Sequence, residues 1–346
     1  MAISERPGVY SSVEVTSTLL SAGNGKTIGV AGCAAAGTKG ACVSIGSYGE
    51  AAAVFGAECA LTKLIRILFQ NGAAAVEAVA VTADGTVAKT EDYTAAFSVF
   101  STKEDVSILL CDSTEAEVAT AMKSSIEGCS ENCKYRIGIV ETAGSISDAA
   151  AKAGGLNCER MVMVYPGIDG KAGMVAAAVA GILSGQSDPA LPLNGAVLSG
   201  LSGFARSFAD SEVTTLVSAG VTAVESVYGA PSVVRGITTR TKTGGAADTT
   251  WRELTTVLII DDVVPSIRTA LRRKFPRVKN TAQTRGAIRT QVTIELEEKQ
   301  KNEIIESFGA VTAEADETDP TVCKVSFEFT VAHGLNRIVL SAHISV

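Results

Sequence analysis

The strongest constraint on the fold is a series of short apolar runs without polar alternation, spread over residues 27–230 and separated by helical patterns. The run Arg160-Met-Val-Met-Val-Tyr165 is an example. A strand of this kind has no polar face, so other elements must cover it on both sides. Strand–helix alternation therefore predicts a largely parallel sheet between two layers of helices, a three-layer α/β domain.

The same pattern locates the individual elements. The apolar runs predict strands at residues 27–31, 76–81, 108–111, 136–140 and 160–164. Helical periodicity predicts helices at residues 58–71, 115–127, 145–153, 171–184 and 211–219. A β excursion over 221–228 and 232–240 ends the domain, before a loop at 241–248 that is rich in Gly and Thr.

A second, α+β module is expected after this loop. Its first element is a long helical pattern over 254–275, in which Pro265 predicts a kink or a break. Another helix is predicted over 282–307, in one or two pieces. A strand follows over 323–331, where apolar and polar residues alternate.

Both chain ends are predicted to be extended. Pro7-Gly8 opposes a helix at the start, and residues 9–16 then alternate with the period of two that is typical of a strand. A terminal strand is predicted over 337–346. The N-terminal strand lies far from the next element, so it must pair with a sheet edge that need not belong to the same chain.

Charge is unevenly distributed along the chain. The formal net charge is −7, which argues against non-specific binding of nucleic acid. Residues 261–301 nevertheless carry ten Lys and Arg against five Asp and Glu, whereas residues 302–346 carry two against seven. A basic module within an acidic chain is typical of subunits that recognise copies of themselves or an oppositely charged partner.

The basic residues are concentrated on two predicted helices. They are Arg268, Arg272, Arg273 and Lys274 near the end of the first helix, and Arg285 and Arg289 on one face of the second. One interpretation is a solvated face whose charges suit the helix dipole. The other is a docking surface for an acidic protein. Nucleic acid is disfavoured, because no aromatic residues are interleaved with the charges.

Catalytic patterns are not found. The two histidines, His333 and His343, lie on strand-like segments within the last 14 residues, far from any expected cleft. The segment 24–27 ends like a phosphate loop, but Leu20 stands where that loop needs glycine. Asp261-Asp262 could hold a cation, although adjacent carboxylates that open a helix more often serve its dipole. We therefore expect no catalytic, cofactor or metal residues.

The cysteines and the N-terminal sequence indicate where the chain is made. Most of the eight cysteines lie among small apolar residues, which is typical of free buried thiols. Cys129 and Cys133 lack the second ligand pair that zinc needs. Glu5-Arg6-Pro7 interrupts any secretory leader, and the most apolar stretch, 173–183, is too short to span a bilayer. We expect a cytosolic origin and no membrane insertion.

Several segments together resemble one family. They are Arg6-Pro7-Gly8-Val9-Tyr10, the strand at 27–32, Phe55-Gly56 before a helix, Phe69-Gln-Asn-Gly72 before a strand, the helix from Trp251 to Phe275 and the closing strand pair. In this order the chain resembles the contractile tail-sheath proteins of phages, tailocins and related injection systems. The resemblance covers nearly the whole chain, without the large outward insertions of some members.

The resemblance implies a structural polymer without cofactors, made in the bacterial cytoplasm. Its subunits would stack as hexameric rings around an inner tail tube, would meet baseplate and tail terminator proteins, and would contract. It also implies a subtilisin-like α/β domain without catalytic residues. The implied domains are an arm at 1–25, the sheath domain at 26–240, a tube-facing domain at 241–334 and an arm at 335–346.

The family resemblance also assigns roles to particular residues. Its arms add strands to neighbouring subunits, which implies inter-subunit contacts by Val9, Tyr10, Val13, Val15, Ile338, Leu340, Ile344 and Val346. The tube-facing candidates are Arg272, Arg273, Lys274, Arg285 and Arg289. Two alternatives stay open: a hydrolase-like or ligand-binding enzyme with an atypical site, and another virion component such as a baseplate or capsid subunit.

Overall fold

A computed structural model describes residues 26–83, 86–168 and 170–343. The strands are β1 (Thr27–Cys33), β2 (Cys42–Ile45), β3 (Val76–Thr82), β4 (Val106–Cys111), β5 (Ile137–Glu141), β6 (Met161–Tyr165), β7 (Val221–Val227), β8 (Ala230–Val233), β9 (Lys242–Thr243), β10 (Ala246–Ala247), β11 (Ile305–Phe308), β12 (Thr312–Ala315), β13 (Cys323–Ser326) and β14 (Phe329–Val331). The helices are α1 (Tyr48–Phe55), α2 (Ala60–Gln70), α3 (Thr90–Ser101), α4 (Ala116–Glu131), α5 (Ile146–Leu156), α6 (Met174–Gly185), α7 (Asp210–Ser218), α8 (Leu254–Lys274) and α9 (Ala282–Lys301).

Eight strands form one sheet in the order β2-β3-β1-β4-β5-β6-β7-β8. The six inner strands are parallel, and the two edge strands, β2 and β8, run antiparallel to their neighbours. Helices α1, α2 and α6 pack in the core on one face, and α3, α4, α5 and α7 pack on the other. The predicted three-layer α/β arrangement is confirmed.

Helix α6 is the most deeply buried helix of this domain. Its residues from Val175 to Gly181 are all buried, and small side chains let it lie close to α2. A Cβ added at Gly181 would stand 2.7 Å from the Cβ of Asn71, so glycine is required for this approach. The helix is thereby fixed against α2, and its first residue, Met174, lines the cleft described below.

Three elements of the α/β domain were not predicted: β2, α1 and α3. The first two are short, with four and eight residues. Helix α3 contains Thr, Tyr and Phe residues that have weak helix propensity. Its stability comes instead from packing, since Tyr93, Phe97 and Phe100 are buried against the sheet.

The C-terminal module differs from the prediction in its details. Helix α8 continues through Pro265 as one helix of 21 residues, so no break occurs there. The helix predicted to reach residue 307 ends at Lys301, because Glu303 takes a left-handed conformation with φ of 59° and the chain turns into β11. The single strand predicted at 323–331 is two strands, which pair separately: β13 with β12, and β14 with β11.

Helix α8 belongs to both cores. Leu254, Val257 and Leu258 lie in the core of the α/β domain. From Ile259 onward, the buried side chains of α8 belong to the core of the C-terminal module, which they form together with α9 and the small sheets. The strand predicted over 232–240 is also shorter than expected: β8 ends at Val233, and the chain then runs back to meet the start of α8 through the pair Ile237 and Glu253.

Candidate functional site

The C-terminal segment, residues 332–343, leaves the module after β14 and returns to the α/β domain. Gly334 lies against Pro192, where a Cβ would come within 3.0 Å of the ring. The side-chain amide of Asn194 donates to the Oδ1 of Asn336 over 2.6 Å. These contacts fix the position at which the segment begins its exposed course.

Beyond this point the segment exposes large apolar side chains. The exposed fractions of four of them are 73% for Leu335, 73% for Ile338, 88% for Val339 and 90% for Leu340. Burying such side chains is worth about 1.5–3 kcal/mol each, so their shared exposure marks a surface that gains by contact with another protein. Among the predicted contact residues, Ile338 and Leu340 are therefore accessible.

The strand predicted over 337–346 is not formed within the single chain, over the part of it that the structure describes, and its pairing with a neighbour stays a prediction. Residues 337–343 are in no strand, and no backbone hydrogen bond joins them to another described residue. A strand exists only where a second backbone pairs with it. The remaining predicted contact residues, Val9, Tyr10, Val13, Val15, Ile344 and Val346, lie outside the described residues, and their role stays a prediction.

The predicted basic residues occupy the end of α8 and the first half of α9. Arg272, Arg273, Lys274 and Arg289 are exposed, and Arg285 is half-buried. Two of them form hydrogen bonds to other residues of the C-terminal module. Lys274 donates to the Oε1 of Gln291 over 2.6 Å, and Arg285 donates to the Oδ1 of Asn280 over 3.1 Å.

Arg268 differs from the other basic residues. Its guanidinium lies 5.6 Å from the ring centre of Tyr135 and donates to the hydroxyl of that residue over 3.4 Å. It faces the α/β domain and so is not part of the exposed basic surface. The structure does not test whether the other five residues face a tube.

A cleft of about 1210 Å³ opens at the carboxyl ends of the strands, where ligands bind in many parallel α/β proteins. Asp112, which follows β4, and Glu141, the last residue of β5, lie in its wall. Asp112 accepts from the backbone amide of Cys33 over 2.7 Å and from the hydroxyl of Tyr93 over 2.6 Å. Its carboxylate thus ties β4 to β1 and to α3.

Glu141 occupies the N-terminus of α6. Its Oε2 accepts hydrogen bonds from the backbone amides of Val175 over 2.7 Å and Ala176 over 3.1 Å. These two amides are donors that the first turn of the helix leaves without an intrahelical partner. Only 3% of the residue is exposed, and burial raises the pKa of its carboxyl to about 7, against the opposing effect of those amides. The site where an external anion would bind is filled by the chain itself.

The histidines are remote from this cleft. His333 and His343 are exposed on the C-terminal segment, and neither lies in the cleft wall. Within residues 26–83, 86–168 and 170–343, no group of three or more His, Cys, Asp or Glu could hold a metal ion. In the same ranges, every helix is too short or too polar to cross a membrane.

Asp261 and Asp262 have a role that the sequence did not indicate. They lie in the middle of α8, so they do not open the helix as expected. Asp261 forms a two-point salt bridge with Arg160 over 2.7 and 2.8 Å, and Arg160 also stacks over Tyr135 at 4.9 Å. Asp262 pairs with Lys299 of α9 over 2.5 Å. The two carboxylates connect α8 to the α/β domain and to α9.

Sequence reasoning missed Asp112, Glu141 and the pair Arg160–Asp261. One available signal was position: Asp112 and Glu141 each stand at the carboxyl end of a buried apolar run, where polar residues of a parallel sheet gather. No signal identified the salt bridge, because its partners are 101 residues apart.

Two sequence profiles match the chain. The one described as phage tail sheath protein central domain matches residues 86–239, and the one described as phage tail sheath C-terminal domain matches residues 246–345. The tail sheath protein of Bacillus phage SP01 is 30% identical over 215 residues, which are 56% of this chain and 35% of that protein. The chain thus spans about a third of that relative's length.

Solved structures are similar over almost the whole chain. The anti-feeding prophage (AFP) helical sheath in its contracted state has a TM-score of 0.74 at 15% identity, with 99% of this chain and 100% of that chain covered. A chain of the AFP baseplate has a TM-score of 0.76 at 15% identity, with the same coverage. The sheath tail protein from Desulfitobacterium hafniense has a TM-score of 0.70 at 11% identity, with 94% and 100% covered. These likenesses concern the fold.

Proposed function

The chain belongs to the family of contractile phage tail sheath proteins, and on that premise we propose that it is a structural subunit that polymerises as stacked hexameric rings around an inner tube. Contraction of this polymer would drive the tube through a target envelope. The proposed partners are copies of the same chain, the tube protein, and baseplate and tail terminator proteins. The chain would be made in the bacterial cytoplasm and assembled into a virion tail or a related particle.

The observation that carries this proposal is the exposed apolar C-terminal segment. Its four large apolar side chains contribute nothing to the core of the subunit, yet the segment starts from a fixed point beside Asn194. An extended backbone offers donors and acceptors that a neighbour's strand edge can satisfy. Where a head-to-tail contact of this kind does not close on itself, its repetition generates a helical polymer.

We further propose the roles of the separate parts. Residues 1–25 and 335–346 are strand-donating arms, 26–240 form a subtilisin-like sheath domain and 241–334 form the tube-facing domain. Arg272, Arg273, Lys274, Arg285 and Arg289 would face the tube. The structure favours a boundary within α8, because its first residues pack in the α/β core and its later residues in the other core.

We infer that the cleft is structural and that the chain is not an enzyme. Asp112 and Glu141, its two acidic residues, accept hydrogen bonds from the chain's own backbone and from Tyr93. The net charge argues against nucleic acid as a partner, and so does the lack of regular aromatic interleaving among the basic side chains, where Phe275 stands alone.

The test is a pair of point variants in the C-terminal segment. Ile338→Asp and Leu340→Asp place charge where apolar contact is proposed, and both should give folded monomers that form no cylinders in negative-stain electron microscopy. Val87→Asp is the matched control, because Val87 is 92% exposed on the α/β domain. It should assemble as the unmodified chain does.

A truncation supplies the second measurement. Removal of residues 1–16 should leave a folded monomer, since β1 and the rest of the sheet begin after this segment. Normal cylinders from this truncation, or from both aspartate variants, would contradict the proposal that the arms connect the subunits.

A further inference from the structure

The first described residue, Lys26, is held at its backbone by a buried helix. The hydroxyl of Ser184 donates to the carbonyl oxygen of Lys26 over 2.6 Å. Ser184 belongs to α6 and is 1% exposed. Because α6 is packed between the sheet and α2, this bond fixes the position of Lys26 relative to the α/β core.

The side chain of Lys26 extends toward α8. It lines a groove with Asp261, Asp262 and Lys299, at the junction between the two modules. Burial lowers the pKa of the Lys26 ammonium, and the carboxylates of Asp262, Asp261 and Asp188 act in the opposite direction. A half-buried lysine near three carboxylates is an electrostatic link between the start of β1 and α8.

Charges around the groove balance only when Lys26 is included. Arg160 pairs with Asp261 and Lys299 pairs with Asp262. Asp188 supplies a third negative charge near Lys26, which would be uncompensated within the group without the ammonium. Asp188 is exposed, so water screens its charge, whereas Asp261 and Asp262 are partly buried and their attraction for the ammonium favours Lys26 in its present place.

We propose that Lys26 and Ser184 form a latch that fixes the point from which the N-terminal segment departs, relative to both α6 and α8. Both are positioning residues, because they determine where the segment begins. The inference rests on the proposed function, in which residues 1–25 reach another subunit.

A fixed departure point limits the distance that the arm can cover. Thr16, at the end of the predicted strand, lies ten positions before Lys26. Fully extended, this segment spans at most about 35 Å. A neighbour's accepting strand must therefore lie within about 35 Å of Lys26 in every state of the polymer, for as long as the latch is closed.

The latch can be tested on the monomer with trypsin, which cleaves after lysine. In the unmodified chain, the bond after Lys26 should be protected. Ser184→Ala removes the hydroxyl that holds the carbonyl of Lys26. Loss of one buried hydrogen bond raises the population of the locally opened state by about tenfold, so cleavage after Lys26 should be roughly tenfold faster. Cleavage after Lys152, within α5, reports global opening and should not change.

Ser130→Ala is the matched control for this experiment. Its hydroxyl also donates to a backbone carbonyl, that of Ile126 over 2.9 Å, but within α4. This variant should leave both cleavage rates unchanged. If Ser184→Ala accelerates cleavage at Lys26 and Lys152 equally, or at neither bond, the latch is refuted.

The effect on assembly is a separate measurement. Lys26→Met should yield cylinders with measurably poorer helical order in electron micrographs, whereas Lys39→Met, which removes an exposed lysine paired with Asp92, should not. Equal order in the two variants would overturn the positioning role. If the unmodified chain forms no cylinders, the proposed function fails, while the trypsin result still decides whether the latch exists.

Discussion

Glu141 gives a prediction about the pH dependence of stability. Its carboxyl is buried at the N-terminus of α6, and its pKa is raised from an ordinary value of 4.5 to about 7. The folded chain therefore holds this proton more tightly than the unfolded chain does. By linkage, the contribution of Glu141 to the free energy of unfolding is largest below pH 4.5 and is lost as the pH rises through about 7.

The size of the effect follows from the shift. Each unit corresponds to about 1.4 kcal/mol, so between pH 5 and pH 8 the contribution of Glu141 should fall by about 2 to 3 kcal/mol. Glu141→Gln keeps the shape and an acceptor for the amides of Val175 and Ala176, but it has no proton to release in this range. Between pH 5 and pH 8, the free energy of unfolding of Glu141→Gln should therefore fall by about 2 to 3 kcal/mol less than that of the unmodified chain.

Urea unfolding of the monomer at pH 5 and pH 8 measures this difference. The matched control is Glu58→Gln, because the side chain of Glu58 is 88% exposed and lies outside the buried site at the start of α6. Its pH dependence should equal that of the unmodified chain. If Glu141→Gln loses as much stability between pH 5 and pH 8 as the unmodified chain, the raised pKa is refuted.

Three further perturbations test other parts of the molecule. Asp261→Ala leaves Arg160 without its partner and should cost about 3–5 kcal/mol in urea unfolding; a loss under 1 kcal/mol would show that the pair does not join the modules. Charge reversal at Arg285 and Arg289 should weaken assembly templated by the tube, and undiminished assembly in micrographs would remove these residues from the tube surface. Gly173→Ala should cost more than about 2 kcal/mol, because φ is 81° and its Cβ would lie 2.6 Å from a backbone oxygen; a neutral effect on unfolding would contradict that geometry.

The central part of the fold was predictable because burial on both faces leaves a direct trace in sequence. The run that begins at Arg160 predicted a strand that differs from β6 by one residue at each end. Short or weakly patterned elements left no such trace, as β2 and α3 show. Alternation of apolar and polar residues indicates a strand but not the strand that pairs with it. The segment 323–331 forms two strands because β12 pairs with its first part and β11 with its last part.

Some features of the functional residues could be predicted from the sequence, and others could not. Ile338 and Leu340 are exposed, since apolar residues in an isolated terminal segment have little to pack against within their own chain, and their contact with a neighbour stays a prediction. The contacts of Glu141 and Lys26 were not predictable. Their hydrogen-bond partners lie 34 and 158 residues away, and only the folded topology brings them together.

Helix α8 has a mechanical consequence for any polymer of this chain. It is one uninterrupted rod of 21 residues, about 31 Å long. One end is embedded beside the large sheet and the other carries the exposed arginines. If the sheet rotates in the proposed polymer, those arginines should therefore rotate with it, because the helix between them is continuous. If the proposed arms join the subunits, flexibility in the polymer would have to reside in those arms, because the described part of the subunit is braced by a continuous helix.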